Sequence, residues 1–257
     1  MRVLFLVHDD PFQILKAEYA STLYPVSAIV VVRKRRPPWK QFLQQWAQRV
    51  GVVRVSSEMA ARLCHAVRFG ARDSRQIAGF IAQYQALIPA GFTPPRRHYV
   101  DRINTPEAEA LLRQLNPAVC VLMLQNLLKK NIFGIPPLGM LVYHPGVVPE
   151  YRGVHAAFWA LSRQEPGLVG WSLLRVDAGI DTGPVLAQGV VPAADSRQES
   201  YVVLQHRAHL EGLPAVAKVL EKLAAGEQPR VATEGRESRN FSHPGLGEYL
   251  RYLRVAR

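Results

Sequence analysis

Short β-branched apolar runs separated by helix-length segments are the strongest constraint on what this chain can fold into. Val3–Val7, Ser27–Val32, Ala118–Leu124 and Gly139–Tyr143 are near-continuous apolar stretches of strand length. Strands buried on both faces read this way, because neither face alternates with solvent. Between them lie helix signals. His8-Asp9-Asp10-Pro11 supplies cap and turn chemistry before a helix through about Tyr19. Thr105-Pro106-Glu107 combines a cap, a first-turn proline and an acid, and Asn116-Pro117 closes that helix after Leu115. The β-α-β rhythm predicts an α/β fold, a Rossmann-like and mostly parallel sheet with helices on both faces. Ligands of such sheets sit at the carboxyl ends of the strands, which directs attention to the residues after Leu124 and after Tyr143.

The remainder is less regular. Trp39–Val50, Ser56–Phe69 and Ile77–Leu87 read as helices and form a helical insertion over residues 39–90. Tyr99–Asn104 reads as a short strand and Leu128–Phe133 as a short helix. Trp171–Val176 and Pro184–Val191 read as strands around a glycine-containing loop, and Ser200–Leu223 has helical periodicity. Residues 1–195 are expected to form the main domain. Residues 196–257 form a short C-terminal helical and irregular extension, ending in a helix-like Tyr249–Val255. With 257 residues the chain is long enough for a substantial core.

Composition excludes several classes. Cys64 and Cys120 cannot build a disulfide framework or a thiolate zinc site. His65, His206 and His209 lack the further ligands a metal would need, so no metal is expected. No apolar run reaches the roughly 18 residues of a membrane span, and the opening run is too short for a signal peptide, which favours a cytoplasmic protein away from membranes. No G-x-G-x-x-G or Walker A sequence is present. The formal charge is +12, yet the densest basic run, Arg33-Lys34-Arg35-Arg36, stands without any nucleic-acid-binding pattern. The excess cation fits an anionic substrate or a solvated surface equally well.

Two segments carry candidate chemistry. His144-Pro145-Gly146-Val147-Val148-Pro149-Glu150-Tyr151-Arg152-Gly153 follows a strand directly, and Asp177-Ala178-Gly179-Ile180-Asp181-Thr182-Gly183 follows about 35 residues later. A histidine at a strand end and a loop aspartate are a candidate acid–base pair, since a carboxylate fixes the imidazole tautomer. On residue types alone, a turn histidine and an aspartate bonding its own backbone explain the same pattern.

Taken in order, these residues resemble the signature of the folate-dependent formyltransferases. Trp159-Ala160-Leu161, Gly170 and Ser172 extend the match, which covers residues 97–192. The resemblance implies 10-formyltetrahydrofolate as formyl donor, with direct attack by a neutral amine through a tetrahedral oxyanion. It assigns His144 to stabilising that oxyanion and to proton transfer, and Asp181 to orienting and charging the imidazole. It places donor contacts on the backbone of two loops: Leu124, Gln125, Asn126, Leu127 and Leu128, and Val176, Asp177, Ala178, Gly179 and Ile180. Val142, Tyr151, Arg152, Gly153 and His155 would shape the site or touch substrate, Arg152 doing so by anchoring to backbone carbonyls or by contacting the acceptor. The family has an amide-bearing asparagine two residues before the histidine; here Val142 stands there, facing the same side of its strand as His144. Losing one oxyanion donor costs about 100- to 1000-fold in rate. Leu174 is a second apolar departure. Gln125, Asn126 or His155 are candidate replacements for the missing amide. The alternatives are a formyltetrahydrofolate-hydrolysing enzyme and a catalytically degenerate scaffold. The expected partner is a small-molecule or carrier-bound amine, with the insertion and tail as candidate acceptor or homodimer contacts.

Overall fold

Asp10 and Thr105 show how local sequence starts the helices that flank the sheet. The Asp10 carboxylate accepts the N–H groups of Phe12 and Gln13 at 3.1 Å, and the Thr105 hydroxyl accepts that of Ala108 at 3.3 Å. The computed structural model describes residues 1–33, 38–124, 126–192 and 194–255, the Phe42 side chain excepted. Lys34, Arg35 and Arg36 of the basic run, and Gln125 of the expected donor loop, lie outside the described residues.

The order is β1 (Val3–His8), α1 (Pro11–Leu23), β2 (Ala28–Val32), α2 (Trp39–Val50), α3 (Val52–Leu87), β3 (Arg97–Val100), α4 (Pro106–Leu115), β4 (Val119–Leu122), α5 (Lys130–Phe133) and β5 (Met140–His144). It continues through β6 (Arg152–Gly153), α6 (Ala156–Ser162), β7 (Gly170–Arg175), β8 (Val185–Val190), α7 (Tyr201–Glu211), α8 (Leu213–Ala224), β9 (Asn240–Phe241) and α9 (Leu246–Val255). Seven strands form one sheet in the order β3-β2-β1-β4-β5-β7-β8. The first five run parallel to one another; β7 and β8 each run antiparallel to the strand before them in the sheet. The mostly parallel α/β reading therefore holds, with an antiparallel edge.

Alternate residues of β1 divide between two cores. Val3, Phe5 and Val7 pack on the face covered by α1, α6, α7, α8 and α9. Leu4 and Leu6 face α4 and α5. Helices α7 and α8, read from sequence as part of an extension, supply Leu204, Leu210, Leu213, Val216 and Leu220 to the first core.

Several boundaries differ from the sequence reading. The two helices expected at 56–69 and 77–87 are one helix, α3, of 36 residues. A helical glycine such as Gly70 costs only about 1 kcal/mol, and no proline interrupts the segment. The helix expected over Ser200–Leu223 breaks at Gly212, where a Cβ would lie 2.2 Å from Tyr143 Oη, and Pro214 opens α8. The strand expected at 99–104 is Arg97–Val100, because its partner β2 ends at Val32, paired with Val100.

Candidate active site

Strand β5 carries His144 to its carboxyl end, opposite Ser172 of β7. The imidazole is 5% exposed, and its Nε2 lies 2.9 Å from the Tyr151 carbonyl oxygen. A carbonyl only accepts, so Nε2 carries the hydrogen and Nδ1 is the basic nitrogen of the neutral ring. Nδ1 faces Asp181 Oδ2 at 3.5 Å. The backbone curls tightly to reach this arrangement. At Gly146 a Cβ would fall 2.4 Å from Ala156 Cβ and 2.6 Å from His144 Nε2, so only glycine fits. Ser172 braces the same loop by donating to Gly146 O (2.7 Å) and accepting from Val148 N–H (3.1 Å).

Asp181 adopts the left-handed region, φ 51°, which aspartate tolerates better than most side chains. Its Oδ2 accepts the Gly153 N–H at 2.9 Å, and Arg152 donates to the Ile180 carbonyl at 3.2 Å. The preceding turn is fixed by Asp177, which accepts from Gly179 N–H (2.9 Å) and from the Thr182 hydroxyl (2.7 Å). Gly153 pairs with Phe241 in the two-stranded β6–β9 ribbon, which ties the aspartate's anchor to the C-terminal segment.

A cavity of about 280 Å³ opens beside Asp181. Leu122, Leu124, Leu127, Leu128, Val142 and Leu174 supply apolar walls. Asn126 and the loop from Val176 through Asp177, Ala178, Gly179 and Ile180 to Asp181 and Thr182 supply polar groups. Val142 projects into this cavity between Leu122 and Leu174, its neighbours on the adjacent strands. The cavity thus holds Asp181, Val142 and every described residue of the two expected donor loops, and His144 adjoins it through Asp181 rather than lining it.

Two expected residues lie elsewhere. Tyr151 is fully buried; its hydroxyl donates to Glu165 and receives Arg239 Nη1 at 3.2 Å, so its side chain shapes the loop and does not line the cavity. Burial and the Glu165 carboxylate push the phenol's pKa up. His155 is the larger correction. It lines a second cavity with His243, Arg62 and Tyr201, because the left-handed His155 backbone (φ 58°) turns the chain into α6. It is therefore no substitute for the amide missing at Val142. Ser172, Thr182 and the β9 segment act at the site without having been selected from sequence. Ser172 stood inside a matched G-x-S; β9 had no signal, since two residues show no periodicity.

A family model described as formyl transferase matches residues 65–220, more than half of the chain. The chain belongs to the formyl transferase family. Curated formyltransferases resemble it over part of its length. Methionyl-tRNA formyltransferase of Herpetosiphon aurantiacus is 35% identical over 129 residues, 49% of this chain and 41% of that protein. The Thermus thermophilus enzyme is 37% identical over 113 residues, 44% of this chain and 36% of that protein. The chain thus spans well under two thirds of these relatives. Among solved structures, glycinamide ribonucleotide transformylase 1 from Symbiobacterium toebii aligns with a TM-score of 0.54 at 19% identity, covering 94% of each chain. A sugar N-formyltransferase from a Shewanella species aligns at 0.56 and 12% identity, covering 100% of this chain and 87% of that one. At such identities the likeness concerns the formyltransferase fold. Among the described residues no helix is long and apolar enough to cross a membrane, and no three His, Cys, Asp or Glu side chains are placed to hold a metal ion.

Proposed function

We propose that this formyl transferase is an N-formyltransferase that takes its formyl group from 10-formyltetrahydrofolate and passes it to the amine of a small or carrier-borne anionic acceptor. The observation that carries the reading is the facing of His144 Nδ1 and Asp181 Oδ2 at the edge of an apolar-walled cavity. Ligand pockets run from about 300 Å³ upwards, so a cavity near 280 Å³ suits the pterin end of the donor and leaves the rest outside. The backbone groups of 176–180 offer the edge contacts a pterin needs, and the leucine and valine side chains offer its faces a dry surface.

When bound, the donor would supply an activated formyl carbon, whose bond to the folate nitrogen breaks as the bond to the amine forms, with the proton the amine loses ending on the departing folate nitrogen. His144 is set to receive the proton that amine must lose, since Nε2 is held by the Tyr151 carbonyl and Nδ1, the basic nitrogen, lies 3.5 Å from Asp181 Oδ2. Asp181, fixed by Gly153 N–H, stabilises the imidazolium that results, while the Tyr151 carbonyl holds the neutral ring in its tautomer. Val142 offers no hydrogen to the formyl oxygen. Asn126 is the amide among the described cavity residues, and we assign it the role of donor to the oxygen as negative charge develops.

The test is release of tetrahydrofolate from 10-formyltetrahydrofolate across a panel of anionic amines, with His144→Ala beside the wild type. Amine-dependent release that falls by at least about 1000-fold in His144→Ala supports the reading. Release that ignores the amine, or equal rates in both proteins, overturns it.

A further inference from the structure

The second cavity, also about 280 Å³, lies between α3, the start of α6 and the segment that follows β9. Its polar groups form a chain with determinable hydrogens. Arg62 Nη2 lies 3.3 Å from His243 Nδ1, and His155 Nε2 lies 2.9 Å from the same atom. A guanidinium only donates, so His243 Nδ1 is the acceptor and His155 Nε2 bears a hydrogen. His243 must then carry its own hydrogen on Nε2. Burial, then the neighbouring imidazole and guanidinium, lowers the His155 pKa to about 4, so His155 stays neutral with its one N–H given to His243, and the donors left for a ligand are His243 Nε2–H and the remaining N–H groups of Arg62. Glu58 and Glu248 pair with Arg54, Glu58 also acting on His243 by its charge, and the Arg62 guanidinium, with no ion pair seen among the described residues, rests on the Trp46 ring at 5.0 Å. One cation and the His243 Nε2–H beside an open space, with the Tyr201 and Tyr249 rings as walls, match an oxyanion.

The cavity is wired to the reaction centre through the backbone. His155 stands two residues beyond Gly153, whose N–H holds Asp181. His243 stands two residues beyond Phe241, the partner of Gly153 in the β6–β9 ribbon. Ala156, next to His155, occupies the space beside Gly146 and the His144 ring. A molecule held by His243, itself bonded to His155, is tied at both ends to the ribbon that positions the catalytic aspartate.

We infer that the cavity bounded by Arg62, His155 and His243 binds the phosphate or carboxylate group of the amine acceptor. Its role as acceptor subsite rests on the formyl-transfer reading; its capacity to bind an oxyanion does not.

The full-length protein with ring-¹⁵N-labelled histidine, without any folate, is titrated with O-phosphoethanolamine, glycine and ethanolamine. The first two carry an amine with a phosphate or a carboxylate and identify which is preferred; the third carries no anion. Saturable shifts of the His155 and His243 ring signals with either anionic amine, absent with ethanolamine, are expected. Charge-assisted hydrogen bonds of this kind are worth about 1.5–3 kcal/mol, so Arg62→Gln weakens binding at least about tenfold and Arg62→Lys restores part of it. No saturable shift with either anion, an equal response to ethanolamine, or unchanged binding in Arg62→Gln overturns the inference. Should Arg62→Gln not fold, the comparison of the three ligands on the wild type decides alone. Anion binding in a protein that transfers no formyl group would uphold the oxyanion site and refute both the enzymatic reading and the acceptor role.

Discussion

Gly146, Asn126 and Val142 decide the site one atom at a time. A methyl group at 146 meets Ala156 Cβ and His144 Nε2 well inside contact distance, so Gly146→Ala forces the imidazole away from the Tyr151 carbonyl. Formyl transfer is expected to fall at least about 100-fold in that variant, a misplacement of about 1 Å being enough, while far-UV circular dichroism stays native. Asn126→Ala is expected to cost about 100- to 1000-fold in kcat with little change in donor affinity, the pattern of a lost oxyanion donor. A drop confined to KM would remove Asn126 from that role. The pair of His144 and Asp181 was legible from sequence because strand-end histidine and glycine-loop aspartate stand in a long ordered match. His155 fails as a stand-in for the missing amide for a physical reason: a single left-handed residue redirects the chain, and sequence spacing does not register that turn.

At the scale of elements, helix α3 needs an anchor, because several of its apolar side chains, Val53, Leu63 and Val67 among them, face solvent. The anchor is polar and buried. Asp73 Oδ2 accepts from His65 Nε2 at 2.9 Å and from the Ser200 hydroxyl at 2.7 Å, and His65 Nδ1 meets the Tyr249 hydroxyl at 3.1 Å. This ties α3 to the cap of α7 and to α9. Asp73→Ala strands His65 and Ser200 in a dry setting and is expected to cost about 3 kcal/mol or more in urea unfolding. A cost below about 0.5 kcal/mol would show that α3 is held by apolar packing alone. The sheet was readable because parallel strands are uninterrupted β-branched runs, and Asp10 and Thr105 announce their helices. The length of α3 and the break at Gly212 were not, since both depend on tertiary neighbours: Gly70 meets nothing, whereas Gly212 lies against Tyr143 and Trp171.

The whole molecule stores a pH response in groups buried without charge. Burial, helped by adjacent cations, lowers His155 and His206 from 6.5 to about 4 and takes His209 further down. Below about 6.5 the unfolded chain binds protons that the folded chain refuses, so stability falls as pH drops from about 6.5 towards 4. Lys16, fully buried beside His209, is lowered from 10.5 to about 7 by burial; the unfolded chain again binds the extra proton, so stability rises from pH 7 towards 10. Melting curves across this range should show Tm climbing in both windows. His206→Phe, which keeps an aromatic ring against Phe12, should flatten the acidic limb, and Lys16→Met the alkaline one. Unaltered slopes in both variants would place the titrating groups elsewhere.

Calorimetric titration of the purified chain with 10-formyltetrahydrofolate, alongside Ala178→Trp and His144→Ala, bears on all of this most directly. Ala178 lines the cavity from an exposed loop, so an indole there fills the slot without disturbing the core. Saturable one-to-one binding to the wild type and to His144→Ala, at least about tenfold weaker in Ala178→Trp, is expected when the cavity is the donor site. Absence of saturable binding, or equal affinity in Ala178→Trp, would show that the donor is not held beside His144 and Asp181.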